Sequence, residues 1–221
     1  MNRVGRFDLI VFDMDGVLTD SSGCHARAFA DLWSFAGVTH PPAYPAIAGR
    51  STESVVREFT AASKPSRPQI ESWTRYKQER AREYLRTTAA FPDALPVLQA
   101  LSRQGYQLAL GTGASRQTAT MLLNQTGLAP LLPVMVTADD VLEGKPNPET
   151  YARAIRLANG RPERSLVVED SAAGLQAGDA AGAATASVRT GETIDHARFI
   201  GAFPDLNMML AAITSDAAKR R

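Results

Sequence analysis

Leu9-Ile10-Val11-Phe12 is an unbroken apolar run that stops at Asp13, and similar short runs recur at 107–110, 134–136, 165–168 and 184–188. Runs that do not alternate read as strands buried on both faces. Helical patterns separate most of them. Leu95, Leu98 and Leu101 follow Asp93, a candidate N-cap, and end at Gly105; Met121 and Leu122 follow Ser115 and end at Gly127. Asn147-Pro148 opens a segment through Tyr151, Ile155 and Leu157 to Asn159-Gly160, and Ser171 opens one that ends at Gly182. Strand alternating with helix predicts an α/β fold built on a doubly wound parallel sheet.

Residues 20–89 break this rhythm. They hold no strand-like run and read as helices: one over 25–36 with Phe29, Leu32 and Trp33 inward, one after Ser51 with Val55, Val56 and Phe59 on a stripe, and one after Pro68 with Ile70, Trp73, Tyr84 and Leu85. The outer face of the third carries Glu71, Arg75, Glu79, Arg80, Arg82 and Glu83. We therefore expect a core of residues 1–19 and 90–221 with a helical insertion at 20–89. The tail Lys219-Arg220-Arg221 is expected to fray.

Composition narrows the classes of function. At 221 residues with 44% hydrophobic and 21% charged positions, the chain buries enough surface to fold without a metal or disulfide, so a metal here would serve chemistry. Charge is balanced, 24 Lys+Arg against 23 Asp+Glu, so no basic field announces nucleic acid or an anionic membrane. One cysteine, Cys24, makes no intrachain disulfide and no zinc cluster, which suits a reducing compartment. The first apolar run is short and broken by Asp8 and Asp13, a poor signal peptide, and no stretch is long enough to span a bilayer. A cytoplasmic location is expected.

Ligands of open parallel sheets bind beyond the carboxyl ends of the strands, so the residues just after each run belong together: Asp13 and Asp15, Thr112, Lys145, and Glu169-Asp170. Carboxylates packed so closely raise one another's pKa unless a cation sits among them. A hard divalent ion such as Mg2+ resolves the conflict, since it takes carboxylates, water and phosphate oxygens together. Lys145 and Thr112 then offer a positive charge and a donor to those oxygens. Lysine is scarce, occurring only at 64, 77, 145 and 219, which adds weight to Lys145 as a point charge for phosphate.

Asp13-Met14-Asp15-Gly16-Val17-Leu18-Thr19-Asp20 resembles the DxDGxxxD opening of the haloacid dehalogenase-like hydrolases. Leu108-Ala109-Leu110-Gly111-Thr112 resembles their second motif, Gly144-Lys145-Pro146-Asn147-Pro148 the third, and Val167-Val168-Glu169-Asp170-Ser171-Ala172-Ala173-Gly174 the acidic fourth. The likeness runs over essentially the whole chain, to the branch of small-molecule phosphatases and beta-phosphoglucomutases. It implies a Rossmann-like core, with residues 20–89 as a helical cap that closes over the substrate and excludes water. It also implies Asp13 as nucleophile and Asp15 as the acid that protonates the leaving oxygen and later activates water. Mg2+ would be held by Asp13, the Asp15 carbonyl and Asp170, with Glu169 a ligand or near neighbour. Thr112, Gly113 and Lys145 would bind the phosphoryl group. His25 and Arg50, the latter in Gly49-Arg50-Ser51, are candidate substrate contacts on the cap.

The expected activity is a Mg2+-dependent phosphatase, a monomer, acting on a small phosphomonoester. A sugar phosphomutase and a non-catalytic phosphometabolite sensor are the alternatives. Departures from the family pattern weaken the mutase: Gly23 stands for an acidic residue, Ser115-Arg116 for Lys-Asn, Gly113 for the common Asn or Ser, and Phe91-Pro92-Asp93 for Pro-Gly. Intact Asp13 and Asp15 argue against a sensor. Dehalogenation has no use for Asp15, and phosphonate cleavage needs a cap lysine that residues 20–63 lack. Gly111-Thr112-Gly113 is a poor dinucleotide loop, because Arg116 replaces the third glycine of GxGxxG.

Overall fold

The computed structural model describes residues 7–218; the basic start of the chain and the Lys219-Arg220-Arg221 tail lie outside them. Six parallel strands form one sheet: β1 (Leu9–Phe12), β2 (Gln107–Gly111), β3 (Val134–Val136), β4 (Ser165–Glu169), β5 (Ala184–Val188) and β6 (Phe199–Phe203), in the order β3-β2-β1-β4-β5-β6. The order reverses between β1 and β4, which opens a crevice at their carboxyl ends.

The helices are α1 (Ser22–Ala36), α2 (Thr52–Thr60), α3 (Arg67–Tyr84), α4 (Ala94–Arg103), α5 (Arg116–Gln125), α6 (Glu149–Leu157), α7 (Ala172–Ala180) and α8 (Leu206–Ala218), and α4 to α8 cover the two faces of the sheet. Alternate strand residues sort the core. Ile10, Phe12, Leu108, Leu110, Leu166 and Val168 pack with α4, α5 and α8 through Leu98, Leu122 and Met209. Leu9, Val11, Ala109 and Val167 point the other way, to Tyr151 and Ile155 of α6 and Ala177 of α7. This is the two-sided burial that continuous apolar runs imply. Between β1 and α4, α1 to α3 assemble a separate core of Phe29, Leu32, Trp33, Ile47, Val55, Val56 and Ile70. No helix among the described residues is long and apolar enough to cross a membrane.

Several local expectations change. Asp93 does not cap α4; its carboxylate accepts from Arg189 Nη2 at 2.5 Å and from the Leu206 backbone N–H at 2.8 Å, tying α4 to α8. Leu95 and Leu157 are exposed. Ser115 and Ser171 do cap α5 and α7, accepting from the N–H groups of Thr118 and Gly174. Asn147 Oδ1 accepts from the Glu149 N–H at 2.9 Å at the start of α6. Beyond residue 188 the structure adds β6 and α8, for which the apolar pattern offered no expectation.

Candidate active site

The strand register brings Phe12 level with Leu110 on one side and Val168 on the other, so the residues that follow β1, β2 and β4 emerge side by side. The Asp13 N–H donates to the Val168 carbonyl and the Thr112 N–H to the Val136 carbonyl, each at 2.9 Å. These bonds carry sheet geometry one residue past the strands, and both side chains inherit its rigidity. After Asp15 the chain turns at Gly16, which has φ +80, and a Cβ there would lie 1.9 Å from Asp170 Oδ2. Only glycine permits both the left-handed turn and the approach of Asp170.

Lys145 reaches into this cluster from the loop after β3. Its Nζ donates to Asp13 Oδ1 at 2.6 Å, Glu169 Oε1 at 2.6 Å and the Gly111 carbonyl at 3.0 Å. The Lys145 and Glu169 side chains are wholly buried and Asp13 nearly so. Glu169 is saturated: Oε1 also accepts from Tyr151 OH at 2.5 Å, and Oε2 accepts from the Asp170 N–H, the Ser171 N–H and Ser171 Oγ. A Cβ on Gly174 would lie 1.8 Å from Glu169 Oε1, so the first turn of α7 must be bare there.

Asp170 is the contrast, since no described residue donates a hydrogen bond to its carboxylate. Ligand oxygens of Asp13, Glu169 and Asp170 lie within 4.8 Å of one another. Burial pushes Asp13 above the usual carboxylate range; Lys145 opposes this, and the charges of Glu169 and Asp15 add to it. Asp170 is also pushed up, by burial and then by Glu169 and Asp13, with Lys145 again opposed. One lysine does not neutralise this many carboxyl groups. The cluster is electrostatically short of positive charge, and its all-oxygen donor set fits a hard divalent cation.

Asp15 sits differently. Its Oδ1 accepts from Ser21 Oγ at 2.5 Å and contacts His25 Nε2 at 3.1 Å, while Lys77 Nζ, buried on α3, lies 2.9 Å from His25 Nδ1. An ammonium donating to Nδ1 leaves the imidazole proton on Nε2, facing Asp15. Burial alone would raise Asp15, but the electrostatic attraction of His25, hydrogen bonds from His25 and Ser21, and the Lys77 charge outweigh it and hold Asp15 below its ordinary value. Lys77 is itself lowered to about 8, by burial working against the attraction of Asp15.

Asp13, Asp15, Thr112, Gly113 and Asp170 share a cavity of about 40 Å3 with His25, Arg50 and Lys77 of the helical segment. The structure thus brings together all the residues singled out in the sequence, with Lys145 and Glu169 behind Asp13. Thr112 Oγ1 accepts from the Ala114 N–H at 3.1 Å, which leaves its proton free to donate into the cavity. Arg50 gives Nη2 to Glu58 at 2.5 Å, and its buried Nε has no hydrogen-bond partner among the described residues. Sequence reasoning missed Lys77, Ser21, Tyr151 and the second role of Ser171. Lys77 had a readable signal: it shares an inward stripe with Ile70 and Ala81 of α3, where a lysine needs a buried partner.

A sequence profile of haloacid dehalogenase-like hydrolases matches residues 7–182. The chain belongs to the haloacid dehalogenase-like hydrolases. Among relatives in that family, hexitol phosphatase A of Escherichia coli is 33% identical over 172 residues, covering 78% of this chain and 78% of its own. A plasmid-encoded phosphoglycolate phosphatase of Cupriavidus necator is 32% identical over 193 residues, covering 82% of this chain and 80% of its own. A provisional beta-phosphoglucomutase structure from Bacteroides vulgatus superposes with a TM-score of 0.81 at 27% identity, covering 95% of this chain and 89% of that one. Family and relatives together place the chain among the phosphatases of this superfamily.

Proposed function

We propose that this protein is a Mg2+-dependent phosphatase that hydrolyses a small phosphomonoester, a sugar phosphate or related metabolite, through an aspartyl-phosphate on Asp13. The observation that carries the reading is the pairing of two unlike carboxyls at one cavity. Asp13 is fixed on the strand end by Lys145, and Asp15 is held apart from it by His25 and Ser21. A nucleophile and a separate acid/base are what two-step phosphoryl transfer requires.

Asp13 attacks phosphorus while the Thr112 hydroxyl holds a phosphoryl oxygen and Lys145, from behind Asp13, offsets developing charge. In the ligand-free site the field of His25 and Lys77 keeps Asp15 ionised, the form that later takes a proton from water. An entering phosphate dianion raises Asp15, so that it takes up the proton it gives to the departing alkoxide. Asp13, Asp170 and the Asp15 carbonyl would hold Mg2+. Glu169, with both oxygens already occupied, orients Lys145 and the start of α7. When bound, the ion would neutralise the carboxylates and polarise the phosphoryl group. The helical segment 20–89 acts as a cap that excludes water and supplies His25 and Arg50 to the substrate.

We read the protein as a monomer, because one chain supplies every group in the site. We place it in the cytoplasm, where a lone cysteine needs no oxidant. The test is phosphate release from a panel of phosphomonoesters with Mg2+, against Asp13→Asn and EDTA controls. Release lost in both controls supports the reading. The likeness to the beta-phosphoglucomutase fold keeps one rival in view: glucose 1-phosphate with a bisphosphate primer giving glucose 6-phosphate in place of free phosphate would favour a mutase.

A further inference from the structure

Arg189 directly follows β5, and its backbone takes the left-handed conformation with φ +71, which is unfavourable for any residue that carries a Cβ. The other two such residues described, Lys64 and Asn159, each follow a helical turn, where that conformation closes the helix. Arg189 ends no helix. Its N–H donates to the Phe203 carbonyl of β6 at 2.9 Å, which fixes it to the core, and its side chain runs to two other segments. The guanidinium lies 3.7 Å from the centroid of the Phe91 ring, Nη2 donates to Asp93 Oδ1 at 2.5 Å, and Nε donates to the Val17 carbonyl at 3.4 Å, the weakest of the three contacts. Phe91 and Asp93 belong to the linker that returns from the helical segment, and Val17 to the one that enters it. The two linkers are themselves paired: the Phe91 N–H donates to the Leu18 carbonyl at 3.0 Å and the Asp20 N–H to the Ala89 carbonyl at 3.2 Å.

We propose that Arg189 is a positioning residue for the reaction: anchored to the core, it pins both linkers of the helical segment and so sets where Ser21 and His25 of that segment meet the Asp15 carboxylate. The inference rests on the phosphatase reading. Residues 20–89 are an insertion in the chain, so these linkers are their covalent ties to the core. Val17 lies two residues past Asp15, in a turn closed by the Leu18 N–H on the Met14 carbonyl at 2.9 Å. Ser21 and His25, which hold Asp15, lie just beyond the entering linker. A linker that slips therefore moves Asp15 and its two partners together, away from the leaving oxygen. A shift of about 1 Å at a catalytic group costs up to roughly 100-fold in rate. The Arg189 and Asp93 side chains are 17% and 9% exposed, so water is a poor substitute for either.

The test compares wild type with Arg189→Met, which keeps an apolar stem and loses the donors, and with Arg189→Lys, which keeps the charge and one donor group. Each is assayed with Mg2+ on its best alkyl phosphomonoester and on p-nitrophenyl phosphate. The ratio kcat/KM covers the steps up to phosphoryl transfer onto Asp13, in which Asp15 gives its proton to the leaving oxygen. An alkoxide needs that proton and p-nitrophenolate does not. Arg189→Met should lose about tenfold or more on the alkyl ester, out of the roughly 100- to 10,000-fold that a general acid supplies, and much less on the aryl ester, with Arg189→Lys in between. In ligand-free protein, spin labels at the exposed positions Ser72→Cys on α3 and Ser102→Cys on α4, in a Cys24→Ser background, report the distance from the helical segment to the core, and Arg189→Met should shift or broaden its distribution. Loss by one common factor on both esters, the mark of a merely structural residue, overturns the proposal. So does a distance distribution that Arg189→Met leaves unchanged. If Arg189→Met does not fold, Arg189→Lys carries both readouts. A wild type silent on every ester counts against the phosphatase reading, and the distances alone then decide whether Arg189 pins the linkers.

Discussion

Lys145→Met removes one positive charge from a set of groups that water does not reach. The Lys145 and Glu169 side chains have no exposure and Asp13 has 3%. Burial pushes the Asp13 carboxyl up to about 8 and Lys145 is the main charge opposing that rise, so the metal-free variant should keep the Asp13 proton to higher pH than wild type does. Each proton taken up on folding changes stability by ~1.36 kcal/mol per pH unit. The sign follows from the direction of the shift. A carboxyl whose folded pKa lies above its unfolded value contributes fully below the unfolded pKa and loses that contribution as pH rises. In wild type Lys145 holds its proton throughout: burial would lower it, but the charges of Asp13 and Glu169 outweigh burial and keep it above its ordinary value. Below about pH 8 both proteins hold the Asp13 proton and the gap should stay constant; above it wild type loses that proton and the variant keeps it, so the variant should fall behind by a further ~1.36 kcal/mol per pH unit. Urea unfolding followed by circular dichroism at pH 6, 7, 8 and 9 in EDTA measures the gap. A gap that stays constant or narrows between pH 8 and 9 would refute the electrostatic account of the cluster.

Tyr151→Phe removes the donor to Glu169 Oε1 and should cost about 1.5–3 kcal/mol in chemical denaturation, the range for a hydrogen bond to a charged group. In Asp140, burial is outweighed by Arg116 and by the Thr137 hydroxyl and N–H, which hold the carboxyl down at about 2. Asp140→Ala should cost about 1 kcal/mol at neutral pH as a lost cap. Because the folded pKa is depressed, that deficit should persist above about pH 4 and close as pH falls toward 2, as an acid-unfolding series would show. Mg2+ at 100 times its dissociation constant should raise stability by about 2.7 kcal/mol. Asp170→Asn should remove most of that increment, readable as a lost shift in thermal midpoint on adding EDTA.

What the sequence disclosed follows from where each signal originates. β1 and β4 were legible because residues buried on both faces must be apolar without interruption. Asp13 and Glu169-Asp170 stood out because charge directly after such a run has no structural use. β6 was not legible: Phe199–Phe203 is a half-buried edge strand containing Gly201, and its pairing with β5 shifts register between Thr185 and Ala186. Asp93 had the local look of a cap, but a distant arginine and α8 claim its carboxylate. Tyr151 reads from its spacing as an ordinary core residue of α6, and only the fold shows its hydroxyl meeting Glu169. The Lys77–His25–Asp15 chain likewise joins residues from β1's loop, α1 and α3, a juxtaposition that no local pattern encodes.

The most direct test of the account is whether Asp13 carries the phosphoryl group during turnover. The protein would be mixed with its best phosphomonoester and Mg2+, quenched in acid within the first turnover, digested and weighed by mass spectrometry. The account predicts one added phosphoryl group on the peptide containing Asp13, absent from Asp13→Asn and from samples without substrate. Phosphate released with no modified Asp13 peptide at any quench time, or with the group on another residue, would contradict it.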